Sequence, residues 1–304
     1  MRIGTMLSMP GGQPTIDGLV KAAQQAEQAG FASAWLPNVF DLDAITTLAI
    51  AGRETQRIEL GTAVVPTYPR HPAALAQQAL TAQLAAHGRF ALGIGLSHKV
   101  VIEDMFGLDY SRPIPHMREY LTVLGGLLAG EQVRFRGEQY RVAAQLTVPG
   151  VEKPPVIVAA LGPDMLRLCG RLADGTITWM GGVPFLRDVA VPRITAAAGA
   201  AGRPAPRIVA MAPVCVTDDP AAARAAANEA FAIYGQLPSY RATLDRGGAG
   251  GPGDVAIVGD ETAVVAQIRD YAAAGVTDFA GAAFPAPGGS VQRTAETLAA
   301  LARG

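Results

Sequence analysis

The chain has 304 residues, with 25 Lys+Arg against 26 Asp+Glu and a formal net charge of -1. So even a balance excludes nucleic-acid binding driven by bulk charge, and excludes an acidic tail. Charged residues are 17% and hydrophobic residues 50%, the profile of a core-rich chain rather than a disordered one. The 35 glycines and 22 prolines imply many tight turns on that core. Lysine occurs only at Lys21, Lys99 and Lys153, so nearly all the positive charge is arginine. Cys169 and Cys215 match no metal or redox spacing and read as buried small hydrophobes in a reducing compartment. The opening run MRIGTMLSMPGG is broken at Pro10, Gly11 and Gly12 and does not read as a signal peptide. No apolar stretch approaches the ~18 residues of a membrane span. A soluble, cytoplasmic protein without membrane partners is expected.

Residues 2–7 read as a first strand. Thr15 is placed to cap a helix whose apolar positions Ile16, Leu19, Val20 and Ala23 follow the helical period, with Gly30 as its stop. Residues 31–36 are apolar and end at Pro37, a second strand. Asp43 caps a helix through Ile45, Leu48 and Ala49. Residues 57–65 form a third strand ending at Pro66. Pro72 suits the first turn of a helix reaching about Ala86. Gly88 stops it, and 90–96 is a fourth strand. Residues 97–112 read as a long loop and 116–128 as a helix. The alternation of Val133, Phe135, Tyr140 and Val142 predicts a hairpin within 132–148. Regular alternation then resumes. Strands are expected at 156–160, 176–180 and 207–217, and helices at 164–172, 184–200 and 220–234. The Gly/Pro-rich stretch 236–258 reads as irregular. Asp260 caps a helix over 261–274 that Gly275 ends. A last strand at 278–283 and a helix at 291–302 close the chain.

The strands are near-continuous apolar runs, as when both faces of a parallel sheet are buried. Eight strand–helix units in this length predict an α/β protein, a (β/α)8 TIM barrel forming one domain over 1–304. An insertion is expected at about 97–153 and a second irregular segment at about 236–258. A doubly wound sheet is the competing fold. In a barrel the strand C-termini hold the site. Those ends, at 35–40, 61–66, 93–98, 159–163 and 178–182, are small, apolar and rich in backbone. The histidines at 71, 87, 98 and 116 stand at no ligand spacing with acids, so no metal is expected. Small residues suit a flat aromatic cofactor approached by the backbone. Gly93-Ile94-Gly95 is not a dinucleotide fingerprint, because His98 occupies the sixth position. Either these glycines relieve crowding, or Gly95 and Ser97 open space for a ring or phosphate.

The runs Leu60-Gly61-Thr62-Ala63-Val64-Val65-Pro66, Tyr68-Pro69-Arg70-His71-Pro72, Gly88-Arg89-Phe90-Ala91-Leu92-Gly93-Ile94-Gly95 and Ala159-Ala160-Leu161-Gly162-Pro163 resemble the bacterial-luciferase-like superfamily, in order and spacing over nearly the whole chain. Ser97-His98 is most similar to the branch that uses the deazaflavin coenzyme F420, the methylenetetrahydromethanopterin reductase-like oxidoreductases. The resemblance implies coenzyme F420, or alternatively FMN, at the strand C-termini. It implies a non-prolyl cis peptide at Ala63-Val64 behind the middle ring. It also implies a cofactor-binding set of Asn38, Thr62, Ala63, Val64, Gly95, Leu96, Ser97, His98, Ala159, Ala160, Leu161, Gly162, Pro163, Met165, Thr178 and Trp179, with the 159–163 turn bringing backbone N–H groups toward a phosphate.

One departure bears on the reaction. Alcohol and sugar-phosphate dehydrogenases of the branch carry a catalytic histidine where Val39 stands. Reduction of a C=C or C=N bond in a small organic substrate is therefore expected, with the protein supplying position and one proton. His98 and Asn38 are the catalytic candidates; His98 either donates the proton or only hydrogen-bonds the cofactor, and Asn38 orients. Arg70, Lys99, Arg112 and Arg118 are candidates for the coenzyme's acidic tail. An FMN-dependent monooxygenase and a non-catalytic flavin-binding barrel are the alternatives. The resemblance also implies a homodimer through the second and third helices, 43–53 and 72–86, which are almost free of charge.

Overall fold

In the computed structural model, which describes residues 1–7 and 13–304, eight parallel strands close into a ring. They are β1 (Arg2–Met6), β2 (Ser33–Leu36), β3 (Glu59–Thr62), β4 (Phe90–Gly95), β5 (Val156–Ala159), β6 (Gly175–Trp179), β7 (Arg207–Thr217) and β8 (Asp278–Ala283). Each pairs with the next, and β8 returns to β1 with Gly4 opposite Ala280 while Gly4 also faces Ser33 on β2. This is the (β/α)8 barrel expected from the eight apolar runs. The break expected at Pro10, Gly11 and Gly12 lies outside the described residues.

The outer helices are α1 (Ile16–Ala29), α2 (Ala44–Arg53), α3 (Pro72–Ala85), α4 (Pro113–Leu128), α5 (Pro163–Leu172), α6 (Val191–Ala200), α7 (Pro220–Ala230), α8 (Pro238–Arg246), α9 (Glu261–Ala273) and α10 (Val291–Arg303). Their starts obey local chemistry. Thr15, Asp43 and Asp260 each accept a backbone N–H of the first turn, from Gly18, Thr46 and Ala263. Gly30 ends α1 at φ 92°, a left-handed conformation that glycine adopts without cost. His71 is likewise a cap: its Nδ1 accepts from the Ala73 N–H at 3.2 Å.

Two regions depart from the sequence reading. The loop expected at 97–112 contains a π-helical turn, Val101–Met105, and α4 starts at Pro113. The stretch 236–258, expected irregular, holds α8, a short turn Pro252–Val255 and an added strand Ile257–Gly259 paired with β7. In the second, Pro238 and Pro252 occupy first helical turns, where a missing N–H costs nothing, and α4 likewise opens on Pro113. The 132–148 hairpin is present as Val133–Arg136 against Arg141–Ala144.

The barrel interior is filled at mid-height by Trp35, Ala91, Ile157, Ile177, Val209, Met211 and Ala280. Trp35 is fully buried, its Nε1 donating to Ser33 Oγ at 2.9 Å. The floor is ionic. Arg2, Glu59, Arg207 and Asp278 are the first residues of β1, β3, β7 and β8. The Arg207 guanidinium reaches Glu59 at 2.8 Å and Asp278 at 2.7 Å, and Arg2 adds contacts to both at 3.3 Å. With wall and floor closed, the open space lies at the other end.

Candidate active site

The third strand stops at Thr62, and pairing with β4 resumes only at Val65 opposite Ile94. Between them the Ala63-Val64 peptide is cis. The Thr62 hydroxyl bonds both backbone groups of Gly93, at 2.7 and 2.8 Å. A Cβ on Gly93 would lie 1.8 Å from Thr62 O, so glycine is the only residue this bulge admits. A Cβ on Gly95 would meet Val64 Cγ2 at 2.7 Å and Ala159 Cβ at 3.1 Å. Gly93 thus relieves crowding, and Gly95 leaves the surface between Val64 and Ala159 bare.

Above this wall lies a cleft of two joined lobes. The smaller, about 380 Å³, runs from Ala63, Val64 and Gly95 past Leu96, Ser97 and His98 to the turn Ala159-Ala160-Leu161-Gly162-Pro163 and Met165. The larger, about 710 Å³, spans the ends of β1, β2, β7 and β8 and includes Asn38. Ala63, Val64, Ser97, His98, Trp179, Met211 and Tyr240 line both and mark the boundary.

The smaller lobe ends on the N-terminus of α5. Gly162 precedes the helix and no side chain caps it. The Leu166 N–H is used by Gly162 O, and Pro163 has none. That leaves the Asp164 and Met165 N–H groups at the positive end of a ten-residue helix, an arrangement suited to an anion. Asp164, the acid on this turn, is paired with Arg167 on the same helix.

The structure separates the sequence-predicted set. Ala63, Val64, Gly95, Leu96, Ser97, His98, Ala159, Ala160, Leu161, Gly162, Pro163, Met165 and Trp179 line the smaller lobe. Asn38 lines the larger one, and its Oδ1 accepts the Ala44 N–H at 3.0 Å. That contact occupies one lone pair of its oxygen and leaves its amide N–H groups to donate. Thr62 and Thr178 line neither lobe. Thr62 is turned to Gly93. Thr178 alternates with Ile177 and Trp179, which take the inward positions, and its hydroxyl is buried without a hydrogen-bond partner. The basic candidates also lie elsewhere: Arg70 pairs with Asp43, Lys99 with Glu103 and Arg112 with Glu138.

His98 stands at the boundary, half-buried, and burial lowers its pKa, so the neutral ring dominates at neutral pH. Its ring centre is 5.9 Å from that of Tyr240 on α8. Tyr240 lines both lobes, and burial raises its pKa, so the phenol stays protonated across the working range. Tyr240 packs edge-on against Tyr234 at 4.9 Å. The Trp179 N–H tempers the burial-driven rise in the Tyr234 pKa, yet it closes no hydrogen bond of ordinary geometry. Sequence reasoning missed Tyr234 because it ran one helix over 220–234, whereas α7 ends at Ala230 and a separate turn, Ala232–Gln236, carries Tyr234; it missed Tyr240 because it read 236–258 as irregular. The signal was Leu237-Pro238, a residue pair that starts α8.

The insertion braces the smaller lobe. Tyr110 lines it and donates to Ser97 O at 3.4 Å. Behind it Tyr68 stacks on His116 at 3.9 Å, and His116 Nε2 meets Thr67 Oγ1 at 2.9 Å. Among the described residues no three His, Cys, Asp or Glu side chains are gathered as a metal site would need.

Fold and cleft together define a barrel enzyme whose smaller lobe is built from backbone and small side chains at the strand C-termini. The chain belongs to the luciferase-like monooxygenase family, which it matches over residues 1–278. A Mycobacterium tuberculosis protein named as a putative coenzyme F420-dependent oxidoreductase is 31% identical over 255 residues, 77% of this chain and 72% of the relative. The coenzyme F420-dependent tetrahydromethanopterin reductase of Methanopyrus kandleri superposes with a TM-score of 0.81 at 22% identity, covering 98% of each chain. The oxygenating constituent of 3,6-diketocamphane monooxygenase from Pseudomonas putida, in complex with FMN, gives 0.76 at 19% identity over 98% of this chain and 97% of that one. At these identities the two structures speak for the fold.

Proposed function

We propose that this protein is an F420-dependent oxidoreductase that reduces a C=C or C=N bond of a small organic substrate. The observation that carries the reading is the smaller lobe: a bare wall of Ala63, Val64, Gly95 and Ala159 that runs into the open N-terminus of α5. A planar three-ring group with a phosphate-bearing arm needs such a wall and such an end. The F420 named for the mycobacterial relative supports the choice of ring.

Reduced F420 supplies a hydride when bound. The chain's own residues do the rest. The wall fixes one face of the ring, which makes the transfer effectively intramolecular. The Asp164 and Met165 N–H groups hold the phosphate. Asn38 offers N–H groups to a substrate acceptor atom. His98 delivers the proton in its imidazolium form, which grows as pH falls below the ordinary histidine pKa. Trp179, Tyr234 and Tyr240 close the boundary against water. Cys169 and Cys215 are buried and unpaired, which fits the reducing cytoplasm this reading assumes.

The FMN-bound neighbour supports a second reading, a reduced-flavin monooxygenase. Titration of the purified protein with F420 and with FMN separates the two. Binding of F420 at micromolar concentration, with substrate reduction unaffected by removal of oxygen, supports the first. Tight binding of FMN alone, with oxygen-dependent turnover, overturns it.

The homodimer also belongs here. The groove between α2 and α3, lined by Ile45, Ala49, Ile50, Gln77 and Thr81, is about 510 Å³ and holds Arg53 as its one charged residue. Ile50 and Leu84 are exposed on this face. A second copy seated there would cover them. Light scattering of the wild type and of Ile50→Glu tests it: a dimer that becomes a monomer is expected, and a wild-type monomer overturns the reading.

A further inference from the structure

The larger lobe has a chemistry of its own. Its lining contains no Asp, Glu, Lys or Arg among the described residues. Its polar groups are His98, Asn38, Ser97, Trp179, Tyr234 and Tyr240. Beside Trp179 the wall is apolar: Phe231 packs edge to face on Trp179 at 5.8 Å and on Phe284 at 5.7 Å. The mouth is apolar too, and it is open. Phe40 is 62% exposed, Ile233 58% and Phe106 41%, although all three line the same cavity as His98. Phe40 and Phe106 meet edge to face at 6.2 Å, joining the β2–α2 loop to the π-helical turn.

Two costs point the same way. Exposed apolar side chains that rim a cavity gain by being covered. An anion placed in this lobe would lose its hydration and meet no cation, a penalty far above that of a neutral group. The nearby Arg70 does not offset it, since Asp43 already pairs with it and it lines no part of the lobe. Asn38 already accepts a backbone N–H of α2 on its oxygen, while its two amide N–H donors have no hydrogen-bond partner among the described residues. A hydrogen-bond acceptor therefore belongs at that end and hydrocarbon at the other.

We infer that the substrate is a neutral, mainly apolar molecule. One acceptor group, such as a carbonyl conjugated to the reducible bond, sits against Asn38 and His98. Its hydrocarbon body fills the lobe and reaches the Phe40–Phe106 rim. Sugar phosphates, carboxylates and phosphorylated carriers are excluded on charge. The inference rests on the smaller lobe being the cofactor's place, since that assigns the larger lobe to substrate.

A matched pair of probes tests it: neutral N-phenyl-1-naphthylamine and its anionic relative 8-anilino-1-naphthalenesulfonate, which differ by a sulfonate. Fluorescence titration of the purified protein, alone and with saturating F420, should give a Kd for the neutral probe about tenfold below that of the anion. F420 should not displace the neutral probe. Ile233→Glu, at an exposed rim position, should weaken the neutral probe about tenfold. Ile50→Glu, in the α2–α3 groove, should leave it unchanged. Equal binding of the anion, or indifference to Ile233→Glu, overturns the inference. F420 binding is read separately from its own absorbance. Its absence, with the probe pattern intact, overturns the cofactor reading instead.

Discussion

Thr62 and Gly93 are bonded to each other twice. The Thr62 hydroxyl donates to Gly93 O at 2.7 Å and accepts the Gly93 N–H at 2.8 Å. One side chain thus replaces the ladder hydrogen bonds where β3 leaves β4 to form the wall of the smaller lobe. Thr62→Val keeps the shape and removes both bonds, leaving two buried backbone groups unpaired. A loss of about 1–3 kcal/mol is expected in urea unfolding, with F420 affinity reduced about tenfold or more. Thr62→Ser should retain most of both. Gly93→Ala is expected to be worse than Thr62→Val, because its Cβ meets backbone 1.8 Å away rather than a movable side chain.

The opposite end of the barrel offers the converse experiment. Arg207→Met leaves Glu59 and Asp278 with only the longer contacts of the more exposed Arg2. Only Asp278 is fully buried and Arg2 still pairs with both acids, so the expected cost is about 1–3 kcal/mol, below that of a fully buried pair. The site is at the strand starts, so cofactor affinity of the folded fraction should be unchanged. Denaturant midpoint and F420 titration read the two effects apart, and a stability loss under 1 kcal/mol would show that water reaches the floor.

His116 makes the fold pH-sensitive. Burial against Tyr68 pulls its pKa down to about 4, with Glu119 opposing weakly. The unfolded chain takes up a proton below about 6.5, while the folded one does not. Stability is therefore full above pH 6.5 and falls as pH drops from 6.5 toward 4, by about 3 kcal/mol across the window. His116→Gln should remove that component. The check is the difference between the wild-type and variant unfolding curves at pH 7 and pH 5; parallel curves would show that the ring is solvated.

The barrel was legible because its signals are local. Thr15, Asp43 and Asp260 cap the helices they were expected to cap, and apolar runs such as 90–96 became strands buried on both faces. The cis peptide in the wall of the smaller lobe was legible only through block resemblance, since nothing in Ala63-Val64 taken alone marks it. Two things were hidden. The Gly/Pro-rich composition of 236–258 reads as irregular, whereas Pro238 opens α8, which concealed Tyr240, and the loop expected at 97–112 holds Tyr110, which braces the smaller lobe. Strand alternation at the C-terminal end was not carried through, so Thr178 was grouped with Trp179 although successive residues face opposite sides. Of the larger lobe, only the residues shared with the cofactor set, such as Asn38 and His98, were legible, because 39–40, 106, 231–240 and 282–285 meet them only after the ring closes.

The proton step carries the last prediction. Burial lowers the His98 pKa, so the imidazolium needed for donation is scarce at pH 7.5 and grows as pH falls through the region below 6.5. If His98 delivers the proton, the single-turnover rate of substrate reduction rises from pH 7.5 to pH 5.5. His98→Gln should lower that rate by about 10²-fold or more, flatten the profile and leave F420 affinity within a few-fold. Tyr240 stays protonated throughout, so donation from the phenol gives a flat profile that Tyr240→Phe depresses. A flat wild-type profile together with a rate unaffected by His98→Gln would reduce His98 to a wall of the cleft and move the donor to Tyr240 or to water. Stopped-flow decay of the reduced deazaflavin at five pH values, in the two variants and the wild type, distinguishes these cases without a steady-state assay.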